Sequence, residues 1–204
     1  MKKEKALLYT LAVIQFSHIT DFMILMPLGP QLMDAFSIKP SQFALLVSAY
    51  TFSAGIFGFI GAFFIDRFDR KQSLLIIALG FALGTLACGF STNYGMLLFT
   101  RAFTGAFGGI LGALILAIVG DVIPNERRAS AMGIIMASFS LASVIGVPIG
   151  LYLATLSDWH FPFFVLGGLA LTALVPIYFY IPKINAHIDS KEDRENPIEI
   201  ISKV

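Results

Sequence analysis

The chain has 204 residues, of which 57% are hydrophobic and only 13% charged, about half the charged fraction of a soluble domain. Twenty phenylalanines cannot be hidden inside a soluble fold of this size, so lipid must be the solvent for much of the surface. The net charge of +1 carries no message about partners; the single cysteine rules out an internal disulfide framework or a cysteine metal cluster, and no basic patch interleaved with stacking aromatics marks a nucleic-acid binder.

The N-terminus, Met1-Lys2-Lys3-Glu4-Lys5, opens like a secretory signal. The apolar stretch behind it runs too long for a signal core, carries Asp21 and lacks a small-residue cleavage site, so it is read as a first membrane span over 6–29. Gln15, His18 and Asp21 recur every third residue in it, with Thr20 beside them, and so share one side of a helix. Such a stripe must face protein or water rather than lipid. A second span is predicted over 42–64, with Gly55, Gly58 and Gly61 at helix-contact spacing. The short loop Ile65-Asp66-Arg67-Phe68-Asp69-Arg70-Lys71 then forces an antiparallel third span over 73–91, where Gly80 and Gly84 form a small-xxx-small pair.

The fourth span, 95–120, contains Arg101 and the inward-packing glycines Gly105, Gly108 and Gly112; the fifth, 129–155, contains Gly146 and Gly150; the sixth is 161–182. These six spans make one transmembrane domain, 1–183, followed by a charged tail, 184–204, read as disordered. Twelve cations fall on one face: Lys2, Lys3, Lys5, Arg67, Arg70, Lys71, Arg127, Arg128, Lys183, Lys191, Arg194 and Lys203. The other face has Lys39 alone, which puts both termini in the cytoplasm.

Two charges are out of place. Asp21 lies about eight residues, roughly 12 Å, below the outer end of its span, and Arg101 about six residues, roughly 9 Å, below that of its own. Each costs about 2.5–3.5 kcal/mol at the membrane centre unless partnered. Opposite signs at one depth favour a direct or water-bridged pair. Arg101 is within reach of the headgroups by snorkelling, but it shares a face with the inward-packing glycines. His18 is as readily a structural hydrogen-bonding group as one that changes charge near neutral pH. With Asp21 it offers too few ligands for a metal. Asp158-Trp159-His160, at the outer end, reads as an interfacial anchor rather than a catalytic pair.

Several stretches now resemble the N-terminal half of the major facilitator superfamily, most closely its drug and sugar efflux (drug:proton antiporter) branch. Ala62 through Lys71 resembles the signature between helices 2 and 3, keeping Asp66, Arg67, Arg70 and Lys71, with Ala62 and Asp69 where glycines are usual. Arg101-Ala-Phe-Thr-Gly105 is similar to the fourth-helix signature of proton-coupled members. Asp121 and Arg128 resemble the acidic-x6-Arg pair that latches the cytoplasmic side. Gly146-Val147-Pro148-Ile149-Gly150 looks like a divergent antiporter signature, and Asp21 through Pro30 is similar to the first helix of the efflux branch.

The resemblance implies an all-α membrane protein of two inverted three-helix repeats, half of a twelve-helix transporter. It implies a path lined by Gln15, His18, Asp21 and Arg101 and a cytoplasmic gate of Asp66, Arg67, Arg70, Lys71, Asp121 and Arg128. Gly105, Gly146, Pro148 and Gly150 would set helix packing. The expected activity is proton-coupled efflux of a small drug- or sugar-like solute across the plasma (bacterial inner) membrane, with no cofactor, no metal and no enzymatic step. Because six helices present a polar face without enclosing it, a lone copy is expected to leave Gln15, His18, Asp21 and Arg101 against lipid. A homodimer or a separately encoded second half is therefore expected to cover them. The alternatives are a truncated or split half, or a non-transporting scaffold or regulatory subunit.

Overall fold

A computed structural model describes residues 2–65 and 68–181. Asp66, Arg67, Lys183 and the 184–204 tail lie outside the described residues. The elements are α1 (Lys2–Ile24), α2 (Gly29–Phe36), α3 (Pro40–Phe64), α4 (Arg70–Gly89), α5 (Tyr94–Val122), α6 (Asn125–Leu141), a π-helical turn (Ala142–Gly146), α7 (Val147–Leu156), α8 (Phe161–Thr172) and α9 (Leu174–Tyr180). They build six helices long and apolar enough to cross a membrane: Glu4–Ile24, Pro40–Phe63, Arg70–Gly89, Tyr94–Val122, Asn125–Leu156 and Phe161–Phe179.

Local chemistry sets the ends. The first span stops at Ile24 rather than continuing to 29, because the ring of Pro27 cannot follow a helical carbonyl and brings no N–H. Pro30 then starts α2, a short helix over a stretch expected to be loop, and Ser37 ends it at φ +52°. Asn93 Oδ1 accepts from Met96 N at 2.9 Å and caps α5, and Asp69 Oδ1 accepts from Gln72 N at 2.9 Å and caps α4. Asp69 therefore has its own local role where the signature loop usually has glycine.

The packing is reciprocal. The second span (α3) lies along the fourth (α5), the fifth (α6 to α7) lies along the first (α1), and the third (α4) packs on the sixth (α8 and α9). A two-fold relation exchanging spans 1–3 with spans 4–6 requires this pattern, so the domain is two inverted three-helix repeats. Glycine makes the α3–α5 contact possible. A Cβ at Gly105 would overlap the backbone of Tyr50, and one at Gly109 would overlap the carbonyl of Ala54. In the fifth span Pro148 cannot donate to the helical ladder, and the π-helical turn lies just before it.

Lys2, Ile65, Asp69, the 123–124 turn and Ile181 share one end of the bundle, the lower end below; α2 and the turns near Ser91 and Asp158 form the upper end. Two apolar cores fill the interior. The lower one gathers Leu11, Ile14, Phe81, Leu111, Ile115 and their neighbours. The upper one gathers Ile24, Leu46, Leu97, Trp159 and Phe163. Between them lies a polar layer in which Gln15, Ser17, Thr20, Asp21, Thr85, Thr100, Arg101 and Thr104 are all buried. The outward faces of α3 and of α6–α7 are apolar and open, with Phe52 and Val144 more than 70% exposed.

Candidate functional site

The polar layer is organised around one ion pair. α1 carries Asp21 and α5 carries Arg101; Nη1 of the arginine lies 2.9 Å from Asp21 Oδ2, and neither side chain has any exposed surface. The same Nη1 is 3.4 Å from the Asp21 carbonyl oxygen. The guanidinium carbon sits 4.3 Å from the centroid of the Tyr50 ring, contributed by α3, a cation–π contact in a dry setting. This close seat depends on Gly105, one turn below Arg101, which lets the α3 backbone come in at Tyr50.

The two charges were expected at one depth, and the structure puts them in direct contact. It overturns the expectation that a lone bundle leaves them against lipid. Spans 1, 2, 3 and 4 meet around them, so a single copy encloses Asp21 and Arg101 completely, and Gln15 is buried with them. His18 is half-buried, packed edge-on to Phe81 with ring centroids 5.6 Å apart.

Several polar atoms here have no hydrogen-bond partner among the described residues: Asp21 Oδ1, Arg101 Nε and Nη2, Gln15 Oε1, His18 Nδ1, Thr20 Oγ1, Tyr50 Oη and Thr85 Oγ1. A buried polar atom left unpaired costs about 1–3 kcal/mol, so these atoms set this layer apart from the apolar cores on either side. Chemically, the layer offers a carboxylate with one engaged and one open oxygen beside a fixed positive charge. It can hold or release a proton at that open oxygen.

The lower end holds a second set of charges. Arg70, almost wholly buried, places Nε 2.9 Å from Asp121 Oδ2 and donates from Nη1 to the Ile65 carbonyl at 3.4 Å. Lys71 donates to the Tyr178 carbonyl at 2.6 Å and lies 5.1 Å from the centroid of the same ring. Asp121 thus pairs with Arg70 and not with Arg128, whose buried Nε has no partner among the described residues. The reason is topological: Arg70 opens α4 beside the last turn of α5, while Arg128 belongs to the first turn of α6. Arg127 instead reaches Glu4 at 3.0 Å, an exposed pair joining α1 to α6.

Gly146 and Gly150 face α1, where a Cβ would press on Thr20 and Ile24 respectively, with Pro148 between them. Trp159, expected at the headgroup level, is buried beneath Phe36 of α2, ring centroids 5.3 Å apart, because α2 folds over it. Uncharged members of the site escape a search for misplaced charge: Ser17, Thr85, Thr100 and Thr104 in the layer, and Tyr50 against it. Tyr50 is the lone tyrosine of its span, a signal that a scan for ionisable intramembrane groups passes over.

The sequence profile of the Major Facilitator Superfamily matches residues 11–203. The uncharacterized MFS-type transporter YwfA of Bacillus subtilis (strain 168) is 32% identical over 164 residues, covering 78% of this chain and 38% of that protein. Multidrug resistance protein 2 of the same organism is 28% identical over 158 residues, covering 78% of this chain and 39% of that one. The chain spans less than half the length of these relatives. Among solved structures, a bacterial homolog of the human lysosomal transporter Spinster, inward-facing and unoccupied, superposes with a TM-score of 0.79 at 16% identity, covering 89% of this chain and 44% of that one.

Proposed function

The chain belongs to the Major Facilitator Superfamily, and we propose that it forms one half of a proton-coupled exporter of a small drug- or sugar-like solute, completed by a second copy or a separately encoded second half. Its family is one of transporters rather than enzymes. The observation that carries the reading is the sealed Asp21–Arg101 pair with its open Oδ1. Protonation of Asp21 cancels one charge of the pair and loosens the α1–α5 contact, and deprotonation restores it. The drug-resistance name of one relative supports export of drug-like solutes.

In this reading twelve cations hold the lower end and both termini in the cytoplasm, in the plasma membrane. The Arg70–Asp121 and Lys71–Tyr178 contacts, with Asp66, Arg67 and Arg128, form the cytoplasmic gate. The open apolar faces of α3 and α6–α7 take the second half, related by an axis along the membrane normal. The test is proton movement in reconstituted vesicles under an imposed pH gradient, with a fluorescent cationic dye as probe solute. Dye-dependent proton flux is expected in the wild type and lost in Asp21→Asn; unchanged flux in the variant removes the assignment.

One observation favours a second reading, a non-transporting scaffold or regulatory subunit. The bundle encloses its own charges and so needs no second half to hide them. That reading requires a monomeric mass in nanodiscs and no dye-dependent flux.

A further inference from the structure

The surroundings of the ion pair differ above and below. Below it, toward the gate, the lower core closes over the layer with Leu11, Leu74, Leu111, Leu114 and Ile115, none with any exposed surface. Beside it, and from there toward the upper end, α4 and α5 line their shared seam with small polar side chains. α4 contributes Thr85 and Cys88, three apart and thus on one face, and the turn that follows α4 contributes Ser91; α5 contributes Thr100 and Thr104, one turn apart; all five are buried.

The seam can be followed group by group. At its inner end the Thr85 hydroxyl lies against the Asp21 carboxylate, close enough to interact with it but without a well-formed hydrogen bond at Oδ1. Cys88 Sγ lies 3.7 Å from Thr104 Oγ1, and Ser91 Oγ lies 3.3 Å from Thr100 Oγ1. At the upper end His160 Nε2 is 3.3 Å from the Ser91 carbonyl oxygen, and His160 Nδ1 is 3.1 Å from Asp158 Oδ1. These last two side chains are 30% and 53% exposed, so the line ends in solvent.

Helix adhesion alone would explain part of this. Ser91, Thr100 and Thr104 each donate to a carbonyl of their own helix, to Ala87, Leu97 and Thr100 respectively. A hydroxyl so engaged keeps acceptor lone pairs and can exchange its hydrogen. Adhesion also needs neither an open carboxylate oxygen at one end nor a solvent-facing Asp–His pair at the other.

We propose that the α4–α5 seam is the proton route to Asp21, lying inside one half and separate from the solute path between halves. The inference rests on the proton-coupled reading above. One proton enters at His160 and passes inward along the seam hydroxyls and water between them, each oxygen taking one hydrogen as it gives up another. It ends as the O–H of Asp21 at Oδ1. The seam is left unchanged, Asp21 becomes neutral, Arg101 keeps its charge, and the reverse sequence returns the proton.

The test is a pH jump on the full chain in nanodiscs, followed by time-resolved infrared spectroscopy of the protonated-carboxyl C=O stretch. The Asp21 band is the one missing in Asp21→Asn. The double variant Thr100→Val/Thr104→Val keeps side-chain shape and removes two relaying oxygens. It should slow the rise of the band at least tenfold while leaving its final amplitude intact, with Thr100→Ser/Thr104→Ser restoring the rate. His160→Gln, at the entrance, should slow it as well. Equal rates in the wild type and both the valine and His160→Gln variants would overturn the route and leave proton coupling standing. A wild type with no Asp21-dependent band at any pH would overturn the coupling and the route together.

Discussion

Replacing Arg101 with methionine leaves the Asp21 carboxylate in a layer where it has no exposed surface and loses its 2.9 Å partner. At an effective dielectric of about 20, unit charges about 4 Å apart attract by about 4 kcal/mol. Removing one partner of a buried pair costs about 3–5 kcal/mol by the same physics. The two single changes should not cost the same. A stranded carboxylate can take up a proton and shed its charge, whereas the guanidinium stranded by Asp21→Leu cannot. Asp21→Leu is therefore expected to be the more damaging. The double variant Asp21→Leu/Arg101→Met removes both charges and should lie near the wild type, since apolar replacement of a whole buried pair is often neutral or stabilising. Unfolding by SDS in mixed micelles reads this cycle through Trp159, the chain's single tryptophan, 6% exposed in the upper core. A coupling of at least about 3 kcal/mol is expected from these magnitudes. Additivity within about 0.5 kcal/mol would refute the claim that the pair is dry and mutually compensated.

The α3–α5 contact gives a steric prediction: Gly109→Ala should cost about 1–3 kcal/mol by overpacking against the Ala54 carbonyl, while Gly55→Ala, with nothing near its added methyl, should be tolerated in the same assay. Asp69→Ala removes the α4 cap and should cost about 1 kcal/mol, with Asp69→Ser recovering most of it; equal stability of all three would show that the cap contributes nothing. Asp121→Asn takes the charge partner from Arg70, so cysteine-reactive labelling at a Gln72→Cys reporter should rise severalfold as the start of α4 loosens. An unchanged labelling rate would mean that Arg70 is held by its other contacts.

Membrane class, six crossings and the meeting of spans 1 and 4 were legible because they depend on one-dimensional quantities: apolar length, residue period and depth below a helix end. From those, Asp21 and Arg101 come out at one level without any knowledge of neighbours. What covers the pair was not legible, because cover is supplied by other helices. Tyr50 and Thr85 arrive from spans 2 and 3, and the approach of Tyr50 depends on Gly105 lacking a side chain. The lower-end pairing failed to read for a related reason. Asp121 and Arg128 are neighbours in sequence, but a seven-residue separation across a turn does not decide which of two arginines lies nearer in space. α2 was missed because eight residues, Pro30 among them, fall below the length at which apolar periodicity separates a helix from a loop.

Enclosure of the pair within one bundle has a mechanical consequence. When two halves rock as rigid bodies, a group interior to one of them keeps its neighbours, so rocking by itself cannot open or close the Asp21–Arg101 contact. Information must enter through elements that touch both the other half and the pair. Helices with an open outward face qualify, and among the described spans α3 and α6–α7 are the least buried. Each makes close contact with the layer. α3 lays Tyr50 over the Arg101 guanidinium. The other span sets Gly146, at the end of the π-helical turn, against Thr20, the residue before Asp21. The two contacts belong to helix pairs that the two-fold exchanges, one on the arginine's side and one on the aspartate's. A shift of either helix against a second half would therefore act on the ion pair from one side. The weakened helical ladder at Ala142–Gly146 is where such a shift costs least.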